Sequence, residues 1–467
     1  MSRYAQSRTT VVGLGVTGLS LARYLSARGA IVAAVDSEAS PAALPQFRRE
    51  LPAARFSALD LVRDTLPSSD LVVLSPGVPR ASPAVRAAIE HGIPVIGDIE
   101  IFAREVPADA RVFAVTGSNG KTTTTALAGE LARTVDAGAQ VVGNIGVPIL
   151  DALQAAPDAR TWVLELSSFQ LESTTSLHTE AACVLNVTPN HLDRYPSFFA
   201  YAAAKERIFG GARRQVLNRD DVWSSSMRRP ACAATTFGAM PAPSASDYGV
   251  EGEGDQARLM RGRERIADVN TLGVVGAHNV QNVLAALALV DSLEVSTDAR
   301  ARVLSAFRGM PHRCQAVGTV AGVRVIDDSK ATTVVASIAA LEGLFAPVWL
   351  IAGGDGKGQN FDALATAAAR RCRGVHLIGR DAEAIASALA TSGVPWRKFD
   401  TLADATEAAL SAARSGDVVL LSPACASWDM FRNFGHRAEV FIAAVEAWAA
   451  QRGVSLTLTP VGGGALA

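Results

Sequence analysis

The chain is predicted to be an α/β protein of three domains with mostly parallel sheets, and three observations lead there. Short β-branched runs alternate with stretches long enough for a helix. The runs are continuously apolar, as strands covered on both faces are. The series also restarts twice, near residues 106–111 and 309–313. The expected units are therefore 1–106, 107–309 and 310–467.

Each unit follows from its own runs. In the first, TTVVGLG (9–15), AIVAAVD (30–36), LVVLSPG (71–77) and IPVIGD (93–98) are the strands. In the second they are RVFAVTG (111–117), TWVLELS (161–167), AACVLNVT (181–188) and QVLN (215–218). In the third they are VRVIDDS (323–329), PVWLIAGG (347–354), GVHLIG (374–379) and GDVVLLSPA (416–424). The stretch PAPSASDYGVEGEGDQ (241–256) is rich in Pro, Gly and Ser and is expected to be a loop or irregular hairpin. The tail SLTLTPVGGGALA (455–467) is expected to fray.

Composition narrows the class. With 49% apolar residues and 19% charged, 467 residues supply several cores. A net charge of −1 gives no electrostatic pull toward nucleic acid or an anionic membrane. Five cysteines without a CxxC pair predict reduced thiols, with neither a disulfide nor a zinc framework. The chain enters a strand and glycine turn almost at once, leaving no room for a signal peptide. No run of about 18 apolar residues occurs. A cytoplasmic, monomeric enzyme with small-molecule partners is expected.

Two glycine loops carry the chemistry. Gly13-Leu14-Gly15-Val16-Thr17-Gly18 fits GxGxxG between a strand and a helix, with Asp36 ending the next strand. Such a turn brings a diphosphate to a helix N-terminus, and the acid takes a ribose hydroxyl. A dinucleotide, another diphosphate-bearing nucleotide and a plain structural turn all remain compatible with it. Ser75-Pro76-Gly77 lies at the carboxyl edge of the same sheet.

The second loop, Gly117-Ser118-Asn119-Gly120-Lys121-Thr122-Thr123, follows a strand and opens a helix. It is a shortened phosphate loop, with Val115 where the longer motif has its first glycine. Backbone N–H groups cradle phosphates there, Lys121 supplies a cation and the Thr122 hydroxyl suits Mg²⁺. A metal-holding acid is needed at a neighbouring strand end, and Glu165 is placed for it. His191, after a third strand, is a further candidate ligand. Taken on its own residues, Lys205 reads as a solvated helix lysine.

These stretches resemble a known family. GLGVTG (13–18), SPGVP (75–79), GDIE (97–100), TGSNGKTT (116–123), GNIG (143–146) and LELSSFQLE (164–172) match its signatures. So do NVTPNHLDRY (186–195), KERIF (205–209), HNVQN (278–282), PHR (311–313), DDSKAT (327–332), GGDGK (353–357) and SPACASWDMFRNF (422–434). In order, and over nearly the whole chain, they resemble the Mur ligases of peptidoglycan synthesis, and among them the branch that joins glutamate to UDP-MurNAc-L-Ala.

The resemblance implies an N-terminal Rossmann-like UDP-binding domain, a central P-loop-type ATPase domain and a C-terminal Rossmann-like glutamate domain. It implies an ATP-dependent amide ligase working through an acyl phosphate, with UDP-MurNAc-L-Ala and glutamate as substrates. ATP would contact Gly117, Ser118, Asn119, Gly120, Lys121, Thr122, Thr123, Asn279, Asn282, Arg313 and Asp328. Two Mg²⁺ would be held by Thr122, Glu165, His191 and a carbamylated Lys205, and Lys121, Glu165, His191 and Lys205 are the implied catalytic residues. The UDP-substrate would meet Val16, Thr17, Asp36, Ser75, Gly77 and Asn144, which gives the GxGxxG loop a UDP and sets aside the nicotinamide oxidoreductase it otherwise suggests. Glutamate would meet Lys330, Thr332, Lys357, Ser427 and Phe434. D-Glutamate is the family's usual substrate. Departures at Cys314, Thr333 and Trp428, expected to cluster in the amino-acid pocket, keep L-glutamate as the alternative.

Overall fold

The computed structural model describes residues 2–191, 194–274, 276–344 and 346–458. Three large sheets stand in sequence order, and a two-stranded pairing of His178–Thr179 with Gly211–Ala212 accompanies the second. The first is fully parallel, in the order Arg55–Ala58, Ile31–Asp36, Arg8–Val12, Leu71–Leu74, Val95–Gly97. Strand order reverses beside Arg8–Val12, so a crevice opens at its carboxyl end between the turns at 13–15 and 75–77.

The second sheet has nine strands. Its parallel part runs Gln140–Gly143, Thr161–Glu165, Arg111–Thr116, Ala181–Val184, Arg214–Asn218, Ala233–Phe237, Tyr248–Glu251. Two antiparallel strands, Arg258–Arg261 and Glu264–Asp268, finish its edge. The stretch 241–256 thus contains one arm of a hairpin, Tyr248–Glu251 pairing antiparallel with Arg258–Arg261, in line with the expected irregular hairpin and joined to the large sheet. Tyr248 explains it: the ring is buried and its hydroxyl donates to Asp291 Oδ1 at 2.6 Å, anchoring a segment with weak local strand signal.

The third sheet is parallel through Trp396–Lys398, Cys372–Ile378, Val348–Gly353, Val418–Leu421 and Val323–Asp327. Gln315–Val320 then pairs antiparallel with Val323–Asp327 on one side and with Leu456–Leu458 on the other. Part of the tail therefore closes the sheet edge, and residues 459–467 of the expected frayed segment lie outside the described residues.

Cores follow the sheets with one exception. A single buried cluster contains Tyr24 and Phe102 from the first unit and Trp162, Leu166 and Tyr201 from the second. Phe102 and Trp162 meet edge to face at 5.0 Å, a favoured aromatic geometry. The third sheet has separate clusters of its own.

Candidate active site

Four neighbouring strands of the second sheet end at one place. Arg111–Thr116 runs into the phosphate loop, Thr161–Glu165 ends in its acid, Gln140–Gly143 leads to Asn144 and Ala181–Val184 leads to Asn186. Gly120, at φ +81, caps the helix Lys121–Arg133 in a left-handed conformation. A Cβ there would stand 2.3 Å from Asn282 Oδ1, so the turn requires glycine on both counts.

The loop is braced by the next strand end. Asn119 N donates to Asn186 Oδ1 at 2.9 Å, Ser118 N to Asn186 O at 2.9 Å, and Ser118 Oγ to Thr188 O at 3.0 Å. Sequence reading missed Asn186; a polar residue just past a central strand was the available signal.

Two lysine side-chain nitrogens share one acceptor. Lys121 Nζ donates to Gly117 O at 2.8 Å and to Ser118 O at 3.1 Å, and Lys205 Nζ donates to the same Gly117 O at 2.8 Å. Lys205 is 2% exposed, so the solvated helix lysine suggested by its local sequence is incorrect. Its helix, Phe198–Glu206, turns that side chain inward beneath the loop. Burial first, and then the Lys121 charge, push the Lys205 amine well below its ordinary value, with Glu165 opposing them. Burial also lowers Lys121, again against Glu165, and the Arg313 charge adds to the lowering.

Glu165 is 2% exposed. Its Oε1 accepts from Asn144 Nδ2 at 2.9 Å, whereas Oε2 is buried with no hydrogen-bond partner. A buried carboxylate oxygen left over in this way suits a hard cation, and Thr122 lines the cleft. Among the described residues no three His, Cys, Asp or Glu side chains converge as a ready metal site. His191 sits at φ +54 with its ring edge-to-face against Phe169 at 4.8 Å and 6.2 Å from Tyr201.

The opposite wall comes from the third sheet. Asn119, Gly120, Thr122, Thr123, Asn279 and Asn282 face Arg313, Asp328 and Lys330 across the cleft. His278, Gln281 and Cys314 also line it and were not anticipated as nucleotide-side residues. Asn282 Nδ2 donates to Asn279 Oδ1 at 3.2 Å. Asp328 accepts from Cys314 N at 3.1 Å and from Ser422 Oγ at 2.7 Å. Burial pushes its carboxyl up to about 7, against those two hydrogen bonds and together with the neighbouring Asp327 charge.

The remaining candidates form two further groups. In the first sheet Asp36 Oδ2 accepts from Leu14 N at 2.6 Å and Oδ1 from Glu38 N at 2.9 Å, so Asp36 orders the glycine turn. Val16 and Thr17 start the helix Val16–Ala27, with Val16 73% exposed at the crevice. Ser75 and Gly77 lie across it, where Arg194 NH1 donates to Pro76 O at 3.0 Å and to Gly77 O at 3.2 Å.

In the third sheet Lys330 Nζ lies 3.7 Å from the centroid of the Phe434 ring. The bridge between Asp355 and Ala426 brings the Lys357 turn beside Ser427. Thr332 is half-buried in the turn after Lys330. Of the three departures, Cys314 lines the nucleotide cleft together with Lys330, and its backbone is tied to Asp328. Thr333 caps the helix Val334–Glu342, its hydroxyl accepting from Ala336 N. Trp428 is 69% exposed beside Ser427.

Comparison with known proteins agrees with this arrangement. Residues 7–97 match the Mur ligase MurD-like N-terminal domain, 115–290 the Mur ligase middle domain and 312–425 the Mur ligase glutamate ligase domain. The UDP-N-acetylmuramoylalanine--D-glutamate ligase of Methylobacillus flagellatus is 48% identical over 445 residues, 95% of this chain and 98% of that protein. The protein of the same name from Nitrosospira multiformis is 46% identical over 96% of this chain and 97% of its own length. In fold, the chain resembles the UDP-N-acetylmuramate-alanine ligase MurC of Thermotoga maritima, with a TM-score of 0.56 at 20% identity over 94% of this chain and 99% of that one. It resembles MurF of Acinetobacter baumannii equally, at 0.56 and 19% identity over 90% and 86%. With three sheets in the expected order, a phosphate loop over two lysines and a carboxylate, and these relatives along its whole length, the chain belongs to the Mur ligase family.

Proposed function

We propose that this chain joins D-glutamate to UDP-MurNAc-L-Ala at the expense of ATP, and that segments 1–106, 107–309 and 310–467 are its UDP-substrate, ATP and glutamate domains. One observation carries the reading: a phosphate loop with the buried Lys205 and half-buried Lys121 amines and an unpaired carboxylate oxygen faces Arg313 and Lys330 across an open cleft. An acyl-phosphate path must gather a carboxylate, a triphosphate and an amino-acid dianion, and such a cleft offsets their repulsion.

In this reading Lys121 holds the β- and γ-phosphates, with the loop amides of residues 117–123 around them. Asn279 and Asn282 face the adenine, and Arg313 and Asp328 close on the nucleotide. Thr122 and Glu165 would hold one Mg²⁺; His191 and a carbamylated Lys205 would complete a second. Bound Mg²⁺ supplies charge neutralisation at the phosphates. Burial favours the uncharged form of the Lys205 amine, the form that adds to CO₂: an N–C bond forms, a proton leaves and a carbamate anion remains. Val16, Thr17, Asp36, Ser75 and Gly77 would hold the UDP group, and Asn144 the muramoyl side. Lys330, Thr332, Lys357, Ser427 and Phe434 would hold glutamate, two lysines matching its two carboxylates.

The D-enantiomer is supported by relatives at 43–48% identity, all named for D-glutamate. One of the departures that raised the L-enantiomer serves elsewhere: Thr333 caps a helix. The test is phosphate release from ATP, Mg²⁺ and UDP-MurNAc-L-Ala with each enantiomer. Release with D-glutamate alone is expected. Silence with both would overturn the ligase reading, and release with L-glutamate alone would overturn the stereochemistry.

A further inference from the structure

Arg437 lies on the helix Phe434–Gln451 and is completely buried. A guanidinium removed from water needs its donors satisfied. Here three of its nitrogens are spent on two loops. Nε donates to Ser329 Oγ at 3.0 Å, NH2 to Ser329 O at 2.7 Å, and NH1 to Cys425 O at 3.1 Å. Ser329 Oγ in turn donates to Phe434 O at 2.8 Å. No carboxylate is among these hydrogen-bond partners; Asp429, Asp327 and Asp328 act on the cation from further away.

The tied backbone is chemically informative. Ser329 immediately precedes Lys330, Cys425 lies two residues before Ser427, and Phe434 carries the ring beneath the Lys330 ammonium. The two loops follow adjacent strands, Val323–Asp327 and Val418–Leu421. Strand pairing sets the height of the loops above the sheet but leaves their tips free to separate. The planar fork of one arginine spans both tips, whereas a lysine presents a single point of attachment.

Resting on the glutamate assignment above, we infer that Arg437 is the positioning residue of the amino-acid pocket, fixing Lys330, Ser427 and Phe434 as one surface for a dicarboxylate. It touches no reacting atom. On the same wall, Asp328 has hydrogen bonds of its own from Ser422 Oγ and Cys314 N, which do not involve Arg437. Loss of the fork therefore loosens the glutamate surface and spares the ATP side. A misplaced ammonium costs affinity for the anion it should meet.

The test compares KM values for D-glutamate, ATP and UDP-MurNAc-L-Ala in wild type, Arg437→Met, Arg437→Lys and Ser329→Ala, with thermal melting beside each. In Arg437→Met, KM for D-glutamate is expected to rise about tenfold or more, as loss of charged hydrogen bonds implies, with the other two within about twofold. Arg437→Lys should recover only part of the loss. Ser329→Ala, which keeps the contact at Ser329 O, should show the same pattern more weakly and serves if the arginine variants do not fold. An unchanged KM for glutamate in a folded variant, or equal rises for all three substrates, would overturn the inference. Wild type without turnover on D-glutamate would instead overturn the functional reading.

Discussion

The two junctions between the three sheets are built differently. The first is wired as an interior. Phe102 packs on Trp162, and Gln170 Nε2 donates to the buried Asp98 at 3.1 Å. Glu100, 1% exposed, accepts from Thr175 N, Ser176 N and Ser176 Oγ at 2.6–2.9 Å. Arg23 and Ser20 both reach Asp151. The second junction is an open cleft lined by polar side chains and small apolar ones, Ala331, Ala336, Ala339 and Ala340, with a contact where Ala277 N donates to Gly343 O at 3.3 Å and the His278 ring lies against Gly343. A junction with a continuous core holds two domains as one body; a polar junction with little apolar seal leaves them free to turn. In the proposed reading the UDP-substrate would span the first, and the groups that would close on ATP face each other across the second.

The largest effect belongs to the cleft. Lys121→Ala should lower kcat by about 10²–10³, the range for loss of a preorganised charge in phosphoryl transfer, with melting little changed. Normal turnover would show that the loop's cation lies elsewhere. Next comes the wired junction. Glu100→Ala leaves two backbone donors and Arg104 without their carboxylate, so urea unfolding should register a loss of about 2–4 kcal/mol while turnover per folded molecule is kept. A variant as stable as wild type would mean that the first junction is no more than a surface contact.

The smallest effect separates the junctions by pH. Burial raises the Asp98 carboxyl to about 6, against hydrogen bonds from Gln170 and the backbone. The folded chain therefore holds that proton more tightly than the unfolded one, whose carboxyl titrates near about 3.9, and stability from this group falls as pH rises from about 4 to 6. Burial lowers the His278 imidazole to about 4 from its ordinary 6.5. There the unfolded chain holds more protons, so stability from His278 rises with pH over about 4 to 6.5. In urea unfolding across about pH 4–7, Asp98→Asn should remove the falling contribution and His278→Asn the rising one. Slopes unchanged in both variants would show that neither group is desolvated at its junction.

Much of this protein is local in origin. The apolar strand runs, the glycine loops and the acids and lysines at strand ends are set by spacing, because a strand end and a helix start place their residues whatever surrounds them. GSNGKTT announced a phosphate loop, and Glu165 an acid beside it, on those grounds. Contacts between distant segments were not legible. Nothing around Lys205 marks it as buried, since its partner Gly117 lies 88 residues away. Tyr248 made a strand of a Pro-, Gly- and Ser-rich stretch, and Leu456–Leu458 found an edge to pair with, only once Asp291 and Gln315–Val320 were in place. Nothing next to Arg437 in the chain marks it as buried, since its partner Ser329 lies 108 residues away. Which groups are able to bind phosphate, metal and carboxylate was therefore written in the order of residues. Which of them are desolvated and shared emerged only on folding, because burial and long-range hydrogen bonds depend on residues far apart along the chain.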